Sequence, residues 1–395
     1  MITRTKDKIL NLPRDFRLFL AATFVFGFSQ SIVDSTLNNF LHETFFISDL
    51  QRGLMEFPRE LPGLLVVFVS AVLFFLCSRR QAALANVLCA FGILFIGFFS
   101  PSFGVMLVWL FIFSIGQHLF LPLNQSIGME LAQEGRKGQV LGKFSAVANI
   151  SMIIGSFFIF VGFRYFSLDF KLSYVFSCLG FVTVALLIFM MQKDELVSVR
   201  MKFQLRREYR LYYWLSILYG TRKQIFLTFA PWVLVTVFHQ KTQVVATLLT
   251  VGGVIGIFFK PMLGKMIDQR GERFILTAEA AALILVCLGY GFSKNIFTQT
   301  TALYIAFACY IADQLLISAG MARATYLQKI ALRPEDVAQT LTMGVSIDHI
   351  FSIAIAVSGG LIWLKWGYQY VFLIGGIIAV INFFSAMRIK TKAGT

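Results

Sequence analysis

The sequence predicts an all-α integral membrane protein in which twelve transmembrane helices form two pseudo-symmetric six-helix bundles. Of the 395 residues, 57% are hydrophobic and only 14% are charged, and the mean hydropathy is +0.75. A soluble globular domain has about 25% charged residues. The apolar residues come in blocks of about 20, which is the length of a helix that crosses a bilayer. These observations argue against a water-soluble protein.

The twelve predicted spans are each long enough to cross about 30 Å of hydrocarbon with some tilt. In chain order they cover 17–41, 53–77, 82–100, 104–128, 139–162, 171–191, 211–237, 244–266, 274–293, 299–321, 339–362 and 368–387. The first block follows several basic residues but contains no small-residue cleavage site. We therefore expect it to remain as the first span rather than to be removed as a signal peptide.

The positions of the basic residues predict the orientation, because cytoplasmic loops of membrane proteins carry an excess of Lys and Arg. The net charge is +15. With the N-terminus inside, the predicted cytoplasmic segments hold the clusters Arg79-Arg80, Arg136-Lys137, Lys193 to Arg210, Lys265 to Arg273, Arg323 to Arg333 and Arg388 to Lys392. The sequence thus predicts a multi-pass protein of the cell membrane with both termini in the cytoplasm. Because the charge follows the membrane orientation, we expect no nucleic-acid partner.

The longest polar connection, residues 192–210, lies halfway along the chain and is rich in Lys and Arg. We interpret it as a cytoplasmic linker between an N-terminal six-helix bundle, 1–191, and a C-terminal six-helix bundle, 211–395. Two interpretations of its charge stay open. It is either an amphipathic segment on the lipid surface or a binding site for an anionic regulator.

These halves, with the linker, the cytoplasmic termini and the segment GKMIDQRGER at 264–273, resemble the major facilitator superfamily. The segment is similar to the signature G-x-x-x-D-R-x-G-R-R, which in that family lies between the second and third helices of each half. This sequence departs from the signature at Gln269 and Glu272, and the corresponding place in the first half has Ser78 instead of an acidic residue.

The resemblance implies a conformational latch that stabilises the outward-open state, built from Gly264, Asp268, Arg270, Gly271 and Arg273. Gly264 would permit close helix approach, and Asp268 would pair with a cation and cap a neighbouring helix N-terminus. The basic residues would anchor the cytoplasmic face.

Polar side chains inside the predicted spans are candidate site residues, because each costs several kcal/mol there unless it faces a cavity or a partner. In the resembling family, the first and second helices of each three-helix repeat line a central cavity, and the strongest polar residues of this sequence fall in such helices. We expect substrate contacts from Gln30, Gln117, His118, Asn149, Arg222, Lys223, Gln224, Gln314 and His349. For His118 and His349 a satisfied buried histidine is the alternative.

Arg222 and Lys223 are the strongest signal, because they lie roughly 15 Å into span seven and hence near the midplane. Adjacent helical residues point about 100° apart, so we expect only one of them to face the cavity. A guanidinium could clamp a carboxylate or phosphate. The alternative is a structural ion pair with Asp313 or Asp348, and the sequence leaves both open.

Proton coupling is expected at Asp34, Asp313 and Asp348, because burial and a neighbouring cation shift the protonation of a carboxyl group in opposite directions. For Asp348 a plain salt bridge remains an alternative. Asp34 opens a stretch similar to the D-x-T-x-x-N pattern of one drug-exporter branch of the superfamily. Near the outer end of span two, Glu56 and Glu60 flank Arg59, which suggests either a gating ion pair or an interfacial network.

No cofactor, metal site or enzymatic activity is expected. The five cysteines show no metal-ligand spacing, and the GxxxxGK[ST], HExxH and GxSxG motifs are absent from the sequence.

The leading hypothesis is a secondary active transporter that moves a small organic solute, expected to be anionic, by alternating access with proton coupling. Two cations in span seven favour an anion. The alternative is a proton-antiport exporter of lipophilic drugs, and a non-transporting sensor or scaffold is favoured less. The expected partners are the small-molecule substrate, membrane lipids and a coupling proton, and the chain is expected to be a monomer.

Overall fold

The computed structural model describes residues 13–73, 75–132, 137–192 and 205–390, and every regular element in these ranges is helical. The α-helices are α1 (Arg14–Phe45), α2 (Asp49–Leu54), α3 (Glu56–Val72), α4 (Ser78–Phe98), α5 (Phe103–Glu130), α6 (Lys137–Tyr165), α7 (Phe170–Phe189), α8 (Arg210–Thr236), α9 (Thr242–Ile296), α10 (Gln299–Leu316), α11 (Gly320–Ile330), α12 (Pro334–Trp366) and α13 (Tyr368–Ala386). Single 3-10 turns lie at Arg207–Tyr209 and Ile317–Ala319. The predicted all-α class is confirmed.

Within the described ranges, nine helical stretches are long and apolar enough to cross a membrane. One of them, α9, has 55 residues and covers predicted spans eight and nine. It is broken at Gly271, whose φ of 80° and ψ of 165° are not helical, and glycine adopts this positive φ without the steric cost of a Cβ atom. The chain is a multi-pass membrane protein.

Two helices at predicted spans two and seven are not among these nine. Helix α3 has only 17 residues, and α8 contains Arg222 and Lys223 in its interior. Membrane helices tolerate such charges when partners enclose them, so α8 remains a candidate span. The count of twelve spans stays a prediction.

The chain divides into two compact units. The first unit comprises the described residues of Met1–Phe40, Leu65–Arg200 and Thr242–Gly253, and the second those of Leu41–Leu64, Met201–Lys241 and Val254–Thr395. The predicted linker and bundle boundaries stay a prediction, and linker residues 193–204 lie outside the described ranges, as do Arg136 and Lys392 of the predicted basic clusters.

The first unit has an aromatic core and a buried ionic tie. Phe144 of α6 packs against Phe16 and Phe19 of α1, with ring centroids 5.2 and 5.0 Å apart. Arg79 at the start of α4 is 6% exposed and donates to Asp15 Oδ2, Glu130 Oε1 and the carbonyl oxygen of Gln192, each at 2.6 Å. One guanidinium thus joins the ends of α1, α4 and α5 to the chain that follows α7.

In the second unit, a tyrosine ties the start of α8 to the start of α12. The hydroxyl of Tyr209 donates to Asp336 Oδ2 at 2.8 Å and accepts from the backbone N–H of Leu332 at 3.0 Å. Arg206 approaches the other oxygen of Asp336 at 3.2 Å. Burial raises the pKa of Tyr209 above its ordinary value, so the phenol stays a donor at physiological pH.

Candidate functional site

Three consecutive residues of α8, Arg222, Lys223 and Gln224, contact three different sets of partners. They point in different directions because successive helical residues are rotated by about 100°. Every partner named below lies in the second unit. The centre of α8 therefore joins three polar clusters of that unit.

Arg222 lies in the interior of the second unit, with its side chain 2% exposed. Its Nη2 is 3.0 Å from Asp313 Oδ1 on α10 and 3.6 Å from Glu279 Oε1 on α9. Asn382 of α13 donates to the other oxygen of Glu279 at 3.3 Å. Of the two roles that the sequence left open for Arg222, this geometry is that of the ion pair with Asp313.

Lys223 points to α12. Its Nζ lies 2.7 Å from Asp348 Oδ2, and the two side chains are 20% and 16% exposed. Ser352 donates to Asp348 Oδ1 at 3.3 Å. Gly220 makes this pairing possible, because a Cβ atom there would lie 3.2 Å from Cα of Asp348 and would overlap its carboxylate. Lys223 is thus the more accessible cation of the two.

Gln224 connects α8 to α3. Its side chain amide donates to Glu56 Oε2 at 3.0 Å and to the hydroxyl of Thr228 at 2.9 Å. Glu56 also pairs with Arg52 at 2.5 Å and with Arg59 at 2.9 Å. Gln224, Arg52 and Glu56 are all 0% exposed, whereas the side chain of Arg59 is 22% exposed.

The network continues to α12 through Glu60, which is 3.4 Å from Arg59 and 2.9 Å from Nδ1 of His349. We call Arg52, Glu56, Arg59 and Glu60 the α2–α3 cluster. The sequence placed three of its members at the outer end of span two, as a gate or an interfacial network. The structure gives the cluster contacts to both α8 and α12.

The short helix α2 positions Arg52 through a capping box. The hydroxyl of Ser48 accepts from the backbone N–H of Gln51, whose side chain accepts from the backbone N–H of Ser48. Asp49, the first residue of α2, accepts from Nε1 of Trp232 at 2.7 Å. Burial raises the pKa of Asp49, and the hydrogen bond from Trp232 opposes this shift.

The candidate residues of the first unit have the following neighbours within that unit. Gln30 donates to Asp34 Oδ1 at 2.9 Å, and Asp34 is exposed. Nδ1 of His118 lies 3.0 Å from both the hydroxyl and the carbonyl oxygen of Ser114. Gln117 and Asn149 are half-buried. In the second unit, the side chain nitrogen of half-buried Gln314 has no hydrogen-bond acceptor among the described residues.

The predicted latch stays a prediction, and two of its expected contacts are not made by the described residues. A Cβ atom at Gly264 would meet no described heavy atom within 4 Å, so none of the described helices approaches closely there. Asp268 is exposed, and no ion pair joins it to a described residue. The buried acid of the segment is Glu272, which departs from the signature and pairs with Lys329 at 2.7 Å.

The other latch residues have identifiable local roles. Gly271 provides the positive φ that breaks α9. Arg270 lies over the ring of Phe274 at 5.0 Å, and Arg273 is exposed.

Sequence reasoning missed Glu279, Asn382 and Arg52. Glu279 lies in predicted span nine and Asn382 in span twelve, and these third helices of their repeats are not among the helices expected to line the cavity. The small residues around Glu279, in the run Ala278 to Ala282, were an available signal, because they let a neighbouring helix come close.

Comparisons with known proteins agree with this architecture. The profile of the Major Facilitator Superfamily matches residues 19–345. The structure of a mutant of the nucleoside transporter NupG is similar, with a TM-score of 0.76 and 13% identity, and the match covers 95% of this chain and 100% of that chain. A D-xylose-proton symporter gives a TM-score of 0.71 at 14% identity, over 96% and 98% of the two chains.

A POT family transporter in complex with 5-aminolevulinic acid gives a TM-score of 0.73 at 13% identity, over 94% of this chain and 95% of that chain. At such identities the likeness shows the fold alone. No curated protein matched the sequence.

Proposed function

The chain belongs to the Major Facilitator Superfamily, and from this premise we propose that it is a secondary transporter that moves a small anionic organic solute across the cytoplasmic membrane by alternating access, coupled to protons. We further propose that it works as a monomer without a cofactor or catalytic activity, and that both termini are cytoplasmic. The solved structures to which it is similar include that of a D-xylose-proton symporter.

The observation that carries the proposal is the pair of Lys223 and Asp348. It is balanced in charge, it lies midway along α8 and α12, and both side chains keep part of their surface exposed. An incoming carboxylate or phosphate would compete with Asp348 for the ammonium group of Lys223. The proposed anion contact is therefore Lys223. Arg222 lies next to it in α8 and pairs with Asp313 in the interior of the unit.

Competition for Lys223 also supplies a route to proton coupling. When an anion takes the ammonium group, Asp348 loses its counter-ion in a poorly hydrated site, and an unpaired buried carboxylate is costly. The neutral form of Asp348 is then favoured. We propose that the solute and a proton bind together for this reason, with Ser352 as the hydrogen-bonding neighbour of Asp348.

One observation favours the alternative, proton-antiport export of lipophilic cations. Asp34 is an exposed carboxylate in the middle of α1, which would suit a cationic ligand, and it opens the stretch similar to drug exporters. The two functions thus make opposite predictions about the sign of the charge on the ligand and about which aspartate matters.

A ligand screen on the purified protein in detergent separates the two. A ligand at 100 times its Kd stabilises the folded state by about 2.7 kcal/mol. We expect organic acids or phosphorylated metabolites to raise the melting temperature of the wild type and of Lys265→Gln, an exposed lysine of α9, but not of Lys223→Gln. Stabilisation by lipophilic cations alone, lost in Asp34→Asn, would establish the alternative.

A further inference from the structure

A buried group of three ionisable side chains lies behind the proposed anion contact, in the interior of the second unit. Arg222 of α8, Glu279 of α9 and Asp313 of α10 have side chains that are 2%, 5% and 6% exposed. We call them the buried triad. Nothing in the proposed transport cycle uses Glu279, which lies in the part of α9 that corresponds to predicted span nine.

The triad has two carboxyl groups for one guanidinium. Both carboxyl groups approach the same atom, Nη2 of Arg222, at 3.0 and 3.6 Å. The buried Nε and Nη1 of Arg222 have no hydrogen-bond acceptor among the described residues. Neither carboxyl group therefore forms the two-pronged pairing by which a guanidinium best compensates a carboxylate.

A net negative charge in this position is unfavourable, because burial removes the water that stabilises a carboxylate. One guanidinium can balance one carboxylate. The second carboxyl group avoids the penalty if it carries a proton, and Asn382 can hydrogen-bond to Glu279 in either state. The Lys223–Asp348 pair differs in this respect, because it has one cation for one anion.

Other titratable groups face the triad from the surrounding helices. Tyr219 lies on α8, Cys287 on α9 and Cys309 on α10, and none of these three side chains can supply a positive charge. The positive charge of Arg323 on α11 also interacts electrostatically with Glu279. Its guanidinium is half-buried and stacks on the ring of Tyr219 at 3.5 Å, and no ion pair joins it to Glu279 among the described residues. Arg323 is the competing source of positive charge.

We infer that Glu279 and Asp313 together bind one proton at neutral pH, so that the second unit contains a proton-binding site separate from Asp348. The bound proton and Arg222 balance the two carboxyl groups. Because Arg222 and Lys223 are adjacent on α8, a movement of α8 that follows anion binding would reach both sites.

Infrared spectroscopy of the purified protein without solute tests the inference directly. A protonated carboxyl group has a C=O stretching band that ionised carboxylates lack and that shifts in D2O. We expect this band at neutral pH in the wild type. Glu279→Gln and Asp313→Asn should each lose the bound proton's band, because either variant leaves one carboxylate for one guanidinium. The matched control Asp348→Asn should leave the band unchanged.

Two results would overturn the inference: no such band in the wild type, or a band that persists in both Glu279→Gln and Asp313→Asn. A band that appears only in Arg323→Gln would show that Arg323 supplies the second cation and would overturn it as well. If one variant fails to fold, wild-type protein grown with isotope-labelled glutamate or aspartate assigns the band by its isotope shift. The measurement needs no solute, so a failure of the proposed transport activity would not affect it.

Discussion

The amide of Gln224 on α8 donates a hydrogen bond to the carboxylate of Glu56 on α3 over 3.0 Å, and both side chains are completely buried. Glu56 in turn holds Arg52 and Arg59. Lys223 immediately precedes Gln224 in α8. The proposed anion contact and the residue that binds the α2–α3 cluster are therefore neighbours on the same helix.

The first prediction concerns the carboxylate of Glu56. Glu56→Gln removes the carboxylate that pairs with the fully buried Arg52, and breaking a buried pair by removing one partner costs roughly 3–5 kcal/mol. We expect a clearly lower melting temperature in detergent. The control is Glu43→Gln, which removes an exposed carboxylate of α1 and should leave the melting temperature nearly unchanged. Equal melting temperatures for the two variants would contradict the network.

The second prediction compares two glycines. Gly220→Ala places a methyl group on the carboxylate of Asp348 and must move it away from Lys223, so we expect destabilisation and the loss of stabilisation by acids. Gly264→Ala meets open space, and alanine in a helix is more favourable than glycine by roughly 0.5–1 kcal/mol. We therefore expect Gly264→Ala to be neutral or stabilising. The melting temperatures of both variants test this prediction. A destabilised Gly264→Ala would indicate that a helix does lie close to Gly264, as the signature implied.

The helical class and several site residues could be predicted, because a bilayer requires long apolar helices and makes charges within them conspicuous. Arg222, Lys223, Asp313 and Asp348 were selected on this ground and they pair in the structure. Which of the two cations is enclosed could not be predicted, because it depends on the rotation of α8 about its axis.

Other features were beyond the sequence for identifiable physical reasons. Arg52 lies in a predicted loop, where an arginine is usually solvated, and its burial depends on α2 packing in the second unit. Asp268 matches the signature but is exposed, while the buried acid Glu272 occupies a place where the signature has a basic residue. A motif gives residue types, whereas burial depends on neighbours that are distant in sequence.

The third prediction contrasts two ionic ties at the ends of helices. Arg79 is enclosed and donates to three partners, whereas Lys329, which pairs with Glu272, is 63% exposed. Exposed pairs contribute about 0–1 kcal/mol, while hydrogen bonds from a charged group are roughly twice as strong as neutral ones, and the 6% exposed Arg79 makes three of them. We expect Arg79→Gln to lower the melting temperature strongly and Lys329→Gln to change it little. The opposite order would mean that Arg79 is solvated.

Asp49 offers a pH test outside the predicted spans. Its carboxylate is half-buried, accepts a hydrogen bond from Trp232 and has His42 nearby. Burial raises its pKa above 3.8 in the folded protein, so the folded state binds this proton more tightly than the unfolded state does. The contribution of Asp49 to stability is therefore complete below pH 3.8 and is lost as the pH rises through the folded pKa.

Asp49→Asn isolates this contribution, because asparagine keeps an oxygen that accepts from Trp232 but does not titrate in this range. We expect the free energy of unfolding of Asp49→Asn, relative to the wild type, to rise from its acid value as the pH passes from 3.8 through the folded pKa of Asp49, and to level off above it. Unfolding of both proteins in detergent across this pH range measures the difference in their free energies of unfolding. If the relative stability of Asp49→Asn falls with rising pH, hydrogen bonding and not burial has the larger effect on the pKa of Asp49.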